Sequence, residues 1–167
     1  MCIPQADLLL PEFDQEMAAT RRVLERVPDA ALDWRPHPKS FNLGELATHL
    51  SRIPHWGTLI LTRDGYDLAT SGPRGQALPS VAAVLAQFDA HVREVRTALV
   101  EMTDGQLLLP WVLRRSDKVL MSVPRVFAVR GFVVRHLVHH RGQLTVYLRM
   151  NDVPLPPLYG PTADELM

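Results

Sequence analysis

Two histidines four residues apart, His136 and His140, stand in the run Arg135-His136-Leu137-Val138-His139-His140-Arg141-Gly142-Gln143. On a helix they lie one turn apart, with about 5 to 6 Å between Cβ atoms, so two ring nitrogens can reach one metal ion. At about 100° per residue the pair is separated by about 40° and shares an apolar arc with Val129, Val133, Leu137, Leu144 and Leu148. His139 falls about 60° to the other side of His136, at the edge of that arc, which favours His140 as the inward member. His139 then belongs to the pocket margin or the surface. His49, set between Leu46, Leu50 and Ile53 on the apolar side of another helix, is the natural third ligand. His91 lies near the apolar edge of a third helix and ranks as a pocket candidate, whereas His55 points away from its stripe and His37 belongs to a loop.

Three neutral imidazoles suit Zn²⁺, Ni²⁺, Cu²⁺ or Fe²⁺ and disfavour Mg²⁺ or Ca²⁺. Three protein ligands also leave positions open for water or substrate, as in catalytic sites, where an ion lowers the pKa of a water to about 7 or polarises a substrate atom. Glu45, one turn before His49, and Gln143, expected to project near His136, are candidates to orient a ligand or handle a proton. Arg141 is a candidate for an anionic substrate group, and Trp56 for a pocket wall. Each has a plainer reading: Glu45 as a capping residue, Arg141 in an ion pair, Trp56 as core, and any one inward histidine as a core side chain with a local hydrogen-bond partner. The trio is harder to explain that way, because three buried rings would each need a polar partner where few exist.

The elements that must carry these residues follow from periodicity. Leu10, Phe13, Met17, Thr20, Leu24 and Val27 mark an amphipathic helix from Ala6 to Arg26, ended by Pro28. Asn42, three before Glu45, caps a second helix whose positions Leu46, Leu50, Ile53, Gly57 and Ile60 continue to about Thr62. Asp64-Gly65 and Ser71-Gly72-Pro73-Arg74-Gly75 read as an irregular exposed connection. Ser80 caps a third helix from Val81 to Met102, which Asp104-Gly105 closes. Between Leu107 and Met121 either a short hairpin or an irregular loop fits. Pro124 opens a fourth helix running to about Met150, and a proline-rich, extended tail follows. Four long helices with little strand signal predict an all-α four-helix bundle, a class whose core often hosts metal sites built from facing helices.

At 167 residues, 47% of them hydrophobic, the chain is sized for a single domain spanning residues 1–167. Eighteen basic residues balance eighteen acidic ones, so no basic face points to nucleic acid or to an anionic membrane. No apolar run is long enough to span a bilayer and the N-terminus lacks the pattern of a signal peptide, which predicts a cytoplasmic protein. The single cysteine, Cys2, excludes an internal disulfide and a thiolate metal cluster. Phosphate-cradling glycine loops, a Gly-x-Ser-x-Gly elbow and a dinucleotide fingerprint are all missing.

Four segments together resemble the DinB-like (DinB/YfiT) family: Trp34-Arg35-Pro36-His37-Pro38-Lys39-Ser40-Phe41, Glu45-Leu46-Ala47-Thr48-His49-Leu50, His136 through Leu144, and Pro156-Pro157-Leu158-Tyr159-Gly160-Pro161-Thr162-Ala163-Asp164-Glu165. The resemblance covers nearly the whole chain. It implies a bundle in up-down-down-up order, usually a homodimer, with zinc or nickel on the histidines matching His49, His136 and His140. It further implies a small-molecule substrate and either hydrolase chemistry or thiol S-transfer and isomerisation with a cofactor thiol such as bacillithiol or mycothiol. A non-catalytic stress-response protein, in which the metal ties helices together or a ligand is held, is the alternative from a different class. An assembly module without metal is a third.

Overall fold

The computed structural model describes residues 5–72 and 76–166. Cys2 and the Pro73-Arg74-Gly75 part of the predicted connection lie outside the described residues. Helix α1 spans Gln5–Leu24 and buries Phe13, Met17, Thr20 and Leu24 of the predicted stripe, while Leu9 is buried in place of the predicted Leu10, which is only partly buried. Helix α2 spans Leu43–Arg52 and begins on the predicted capping box: Asn42 Oδ1 accepts from Glu45 N, and Glu45 Oε2 accepts from Asn42 N, each at 2.7 Å. The predicted continuation to Thr62 is instead a separate helix, α3, His55–Thr62. Pro54 explains the break, since it has no N–H to continue the ladder of α2. Gly57 lets α3 press onto the next helix, because a Cβ there would sit 2.8 Å from both methyls of Val95.

Helix α4, Val81–Val100, is capped by Ser80 as predicted. Asp104-Gly105 does not simply close it: Thr103 forms a second capping box with Gln106 and starts the short helix α5, Asp104–Leu108. The all-α expectation needs a larger correction. Strands β1 (Gly65–Asp67), β2 (Pro110–Arg115) and β3 (Lys118–Pro124) form a three-stranded sheet in the order β1-β2-β3. The hairpin alternative for the 107–121 region is therefore the one adopted, with Ser116 at φ 52° in its tight turn. In the sequence Gly65 looks like a turn residue, yet it opens strand β1. Gly65 is there for closeness, since an added Cβ would lie 2.5 Å from the Val112 carbonyl oxygen across the parallel pairing.

The fourth long segment is also interrupted. Helix α6 (Arg125–Val129) passes through a π-helical turn (Arg130–Arg135) into α7 (His136–Met150). Helices α1 and α2 both pack on α4 and α7, while α3 packs on α4 and α6. The core is one apolar cluster that includes Phe13, Leu50, Phe88, Val133, Leu137 and Leu144, each such side chain worth about 1.5 to 3 kcal/mol on burial. The tail folds back over α1 and α7, where Arg26 pairs with Glu165 at 2.6 Å and Arg22 donates to the Pro157 carbonyl. No helix of the described residues is long and apolar enough to cross a membrane.

Candidate metal centre

Helices α2 and α7 bring the three predicted histidines together at the edge of the apolar seam. On α2, Leu43, Leu46, Ala47 and Leu50 are buried, which turns His49 toward α7 at the border of that face. On α7, Leu137, Leu144 and Leu148 enter the core, and His136 and His140 flank them on the side facing α2. All three rings are half-buried, so they line the mouth of the seam and not its centre. The Nε2 of His136 lies 3.3 Å from Nε2 of His49 and 3.0 Å from Nε2 of His140. The His49 and His140 rings stand perpendicular with centroids 4.5 Å apart. One nitrogen from each ring lies within 4.8 Å of the other two, so the cluster could hold a metal ion.

The outer nitrogens show how the rings are aimed. His140 Nδ1 lies 2.7 Å from Gln143 Oε1, a ring N–H donating to an amide oxygen. Gln143 therefore serves His140, not His136 as expected, because an i, i+3 step on α7 brings it under that ring. The His136 ring donates to the backbone carbonyl of Phe132, while its own main-chain N–H goes to Val133. The π turn thus leaves the Phe132 carbonyl to the imidazole, an arrangement that residue periodicity does not announce. Burial pushes both His136 and His140 below the ordinary histidine pKa; the hydrogen bonds to Phe132 and Gln143 oppose this, and neighbouring His139, with His136 as well in the case of His140, adds to it. Both rings are neutral at neutral pH, the state that ligates metal.

The remaining candidates fall in different places. Glu45 keeps its capping role, faces Arg35 at 3.8 Å, and borders a cavity of about 640 Å³ that opens beside His49. Trp56 lines the same cavity and stacks on Phe132 at 5.6 Å. The described lining includes neither His91 nor His139. His91 Nδ1 is 2.9 Å from the Ser51 carbonyl and its ring is 5.1 Å from His55. His139 is exposed, with its ring 4.8 Å from that of His140. Arg141 is only 1% exposed and sits in an ion pair with Glu16 at 2.6 Å, with Thr20 Oγ1 at 3.2 Å and the Tyr159 hydroxyl also in contact. It therefore takes the ion-pair reading, away from the cavity. Two neighbours escaped notice on the residue pattern: Phe41, 5.7 Å from the His49 ring, and Arg52, which lines the cavity. Arg52 was within reach of the sequence, being three residues past His49 on the same helical face.

The DinB superfamily model matches residues 12–144. The chain belongs to that superfamily. It is similar to the protein YrdA of Bacillus subtilis, 24% identical over 160 residues that cover 95% of this chain and 90% of YrdA. Two solved structures share the fold. A DinB-like protein from Bacillus cereus has a TM-score of 0.68 at 21% identity, over 90% of this chain and 95% of its own. The DinB-like protein YjoA from Bacillus subtilis has a TM-score of 0.71 at 16% identity, over 91% and 97%.

Proposed function

We propose that this DinB-superfamily protein is a metal-dependent enzyme in which His49, His136 and His140 hold one divalent ion, zinc or nickel, beside a cavity for a small-molecule substrate. The observation that carries this reading is the convergence of three Nε2-type donors at 3.0 and 3.3 Å. Ligand nitrogens about 2.0 to 2.1 Å from a tetrahedral ion stand about 3.3 Å from one another, so the spacing fits a common ion. The hydrogen bonds of His136 and His140 supply a second fit. With Nδ1 of His140 donating to Gln143 and the His136 ring donating to the Phe132 backbone, the two neutral rings are left to present bare Nε2 lone pairs to each other. Two facing lone pairs repel, and a cation between them removes the conflict.

When bound, such an ion supplies Lewis acidity, enough to bring the pKa of a water near 7 or to deprotonate a thiol. Both hydrolase and thiol S-transferase chemistry are consistent with the donor set. In the second case the thiol comes from a small co-substrate, Cys2 being the chain's single cysteine. Gln143 and the Phe132 carbonyl orient two ligand rings, and Phe41 and Trp56 shield the neighbouring space from water. The same reading takes residues 1–167 as one domain, an up-down-down-up four-helix bundle with an inserted sheet, acting as a cytoplasmic homodimer without nucleic-acid or membrane partners. Elemental analysis of protein purified without a metal-affinity tag tests the centre. One ion per chain is expected, with loss in His49→Ala, His136→Ala and His140→Ala; full metal content in those variants overturns the assignment.

A further inference from the structure

The cavity beside His49 has a polarity of its own. Glu45, His49 and Arg52 stand at i, i+4 and i+7 on α2, so a carboxylate and a guanidinium bracket the histidine along about 10 Å of helix axis. Phe41, Ile53 and Trp56 give the wall its apolar and aromatic part, beside the polar Thr48, Ser71 and Gln76. Its volume of about 640 Å³ lies within the usual span for small-molecule pockets, about 300 to 1,000 Å³, which pair apolar walls with a few placed polar groups.

We propose that this cavity binds a small amphiphilic carboxylate, its aromatic or aliphatic body against Phe41, Ile53 and Trp56 and its acid group on Arg52. The charges fix the direction. The Glu45 carboxylate already faces Arg35 and caps α2, so that end offers an anion no donor of its own, and an acid group is drawn to the Arg52 end, one turn along α2 from His49. Arg52 donates to the Gln76 carbonyl at 2.8 Å, which steadies the guanidinium. A guanidinium presents its N–H groups as a planar fork that can be shared between a backbone carbonyl and a carboxylate, the geometry suited to binding an acid group. Trp56 is itself fixed by stacking on Phe132 and by an edge contact with Tyr66 at 5.1 Å, which makes it a preformed wall. The bound molecule's middle then lies beside His49. Only this last consequence rests on the enzymatic reading; anion recognition at Arg52 does not require the ion.

The probes are 3-phenylpropanoate and its uncharged analogue 3-phenylpropanol, titrated calorimetrically into the protein as purified, with metal content measured on the same samples. The acid is expected to bind at least tenfold more tightly than the alcohol. Arg52→Gln removes that preference, Arg52→Lys keeps part of it, and Trp56→Leu weakens both ligands several-fold, all with metal content unchanged. In the unsubstituted protein the acid shifts the indole N–H resonance of Trp56, a readout that does not depend on any variant folding. A preference that survives Arg52→Gln, an unmoved Trp56 resonance, or failure of the acid to bind overturns the proposal. Metal-free protein with the acid preference intact instead refutes the metal centre and leaves the anion pocket standing.

Discussion

The Nε2 atoms of His136 and His140 lie 3.0 Å apart across the first turn of α7, although the other nitrogen of each ring already has a hydrogen-bond partner. With both of those bonds made by ring N–H groups, neither neutral ring donates to the other, an arrangement that suits a shared electrophile.

That arrangement predicts a pH dependence. Burial holds both folded-state pKa values below the usual 6.5. The unfolded chain therefore takes up protons as pH falls through about 6.5, before the folded one does, and stability is lost across that interval until the folded rings also titrate. The metal-free protein should lose melting temperature between pH 7.5 and 5, less steeply in the His136→Asn, His140→Asn double variant. Metal affinity should fall in the same direction, since protons compete for Nε2. Thermal melts and metal titrations across this range check both, and constant affinity down to pH 5 contradicts the assignment.

Gln143 is exposed, so truncating it touches little packing. Its amide oxygen nevertheless sets the tautomer of His140. Gln143→Ala should leave stability within about 0.5 kcal/mol yet weaken metal binding by about 10- to 100-fold. Competition with a chelator of known affinity measures it; an unchanged affinity removes Gln143 from the centre.

Much of this site was legible in the sequence because its geometry is local. His136 and His140 both fall after the π turn, inside regular α7, so their one-turn relation holds although the segment as a whole is not one regular helix. The Asn42 and Glu45 capping box likewise follows from a three-residue spacing. What escaped depended on contacts distant in sequence. Gly65 reads as a turn until Val112 lies against it; the pairing of Gln143 with His140 is by contrast local, an i, i+3 step within reach of the sequence. Pro54 was visible as a breaker, yet the apolar period runs through it and masked the division between α2 and α3.

Arg141, on the core face of α7 between Leu137 and Leu144, pairs with Glu16, which is only 9% exposed. Removing one partner of a buried pair strands the other, at a cost of about 3 to 5 kcal/mol. Arg141→Ala should lower the melting temperature by about 10 °C and loosen the tail held through Tyr159, while the acid preference at Arg52 persists. Limited proteolysis within residues 151–166 checks the tail, and a variant as stable and protected as the parent contradicts the structural role.

The π turn supplies the last prediction. A π turn is an α-helix with one residue too many, and removing that residue lets the flanking helices join without a change of face. Gly131 is the place to do it, since nothing lies within 4 Å of where its Cβ would be. In the shortened helix, the main-chain N–H of His136 takes the carbonyl four residues back, and the ring must share with it the acceptor that Phe132 now provides. Deleting Gly131 should therefore leave the fold within a few degrees of its melting temperature while lowering metal affinity at least tenfold. Nitrogen-15 spectra of the histidine rings should show His136 changing from a single tautomer to a mixture. If affinity and tautomer both stay as they are, His136 is oriented by packing alone and the π turn has no part in building the centre.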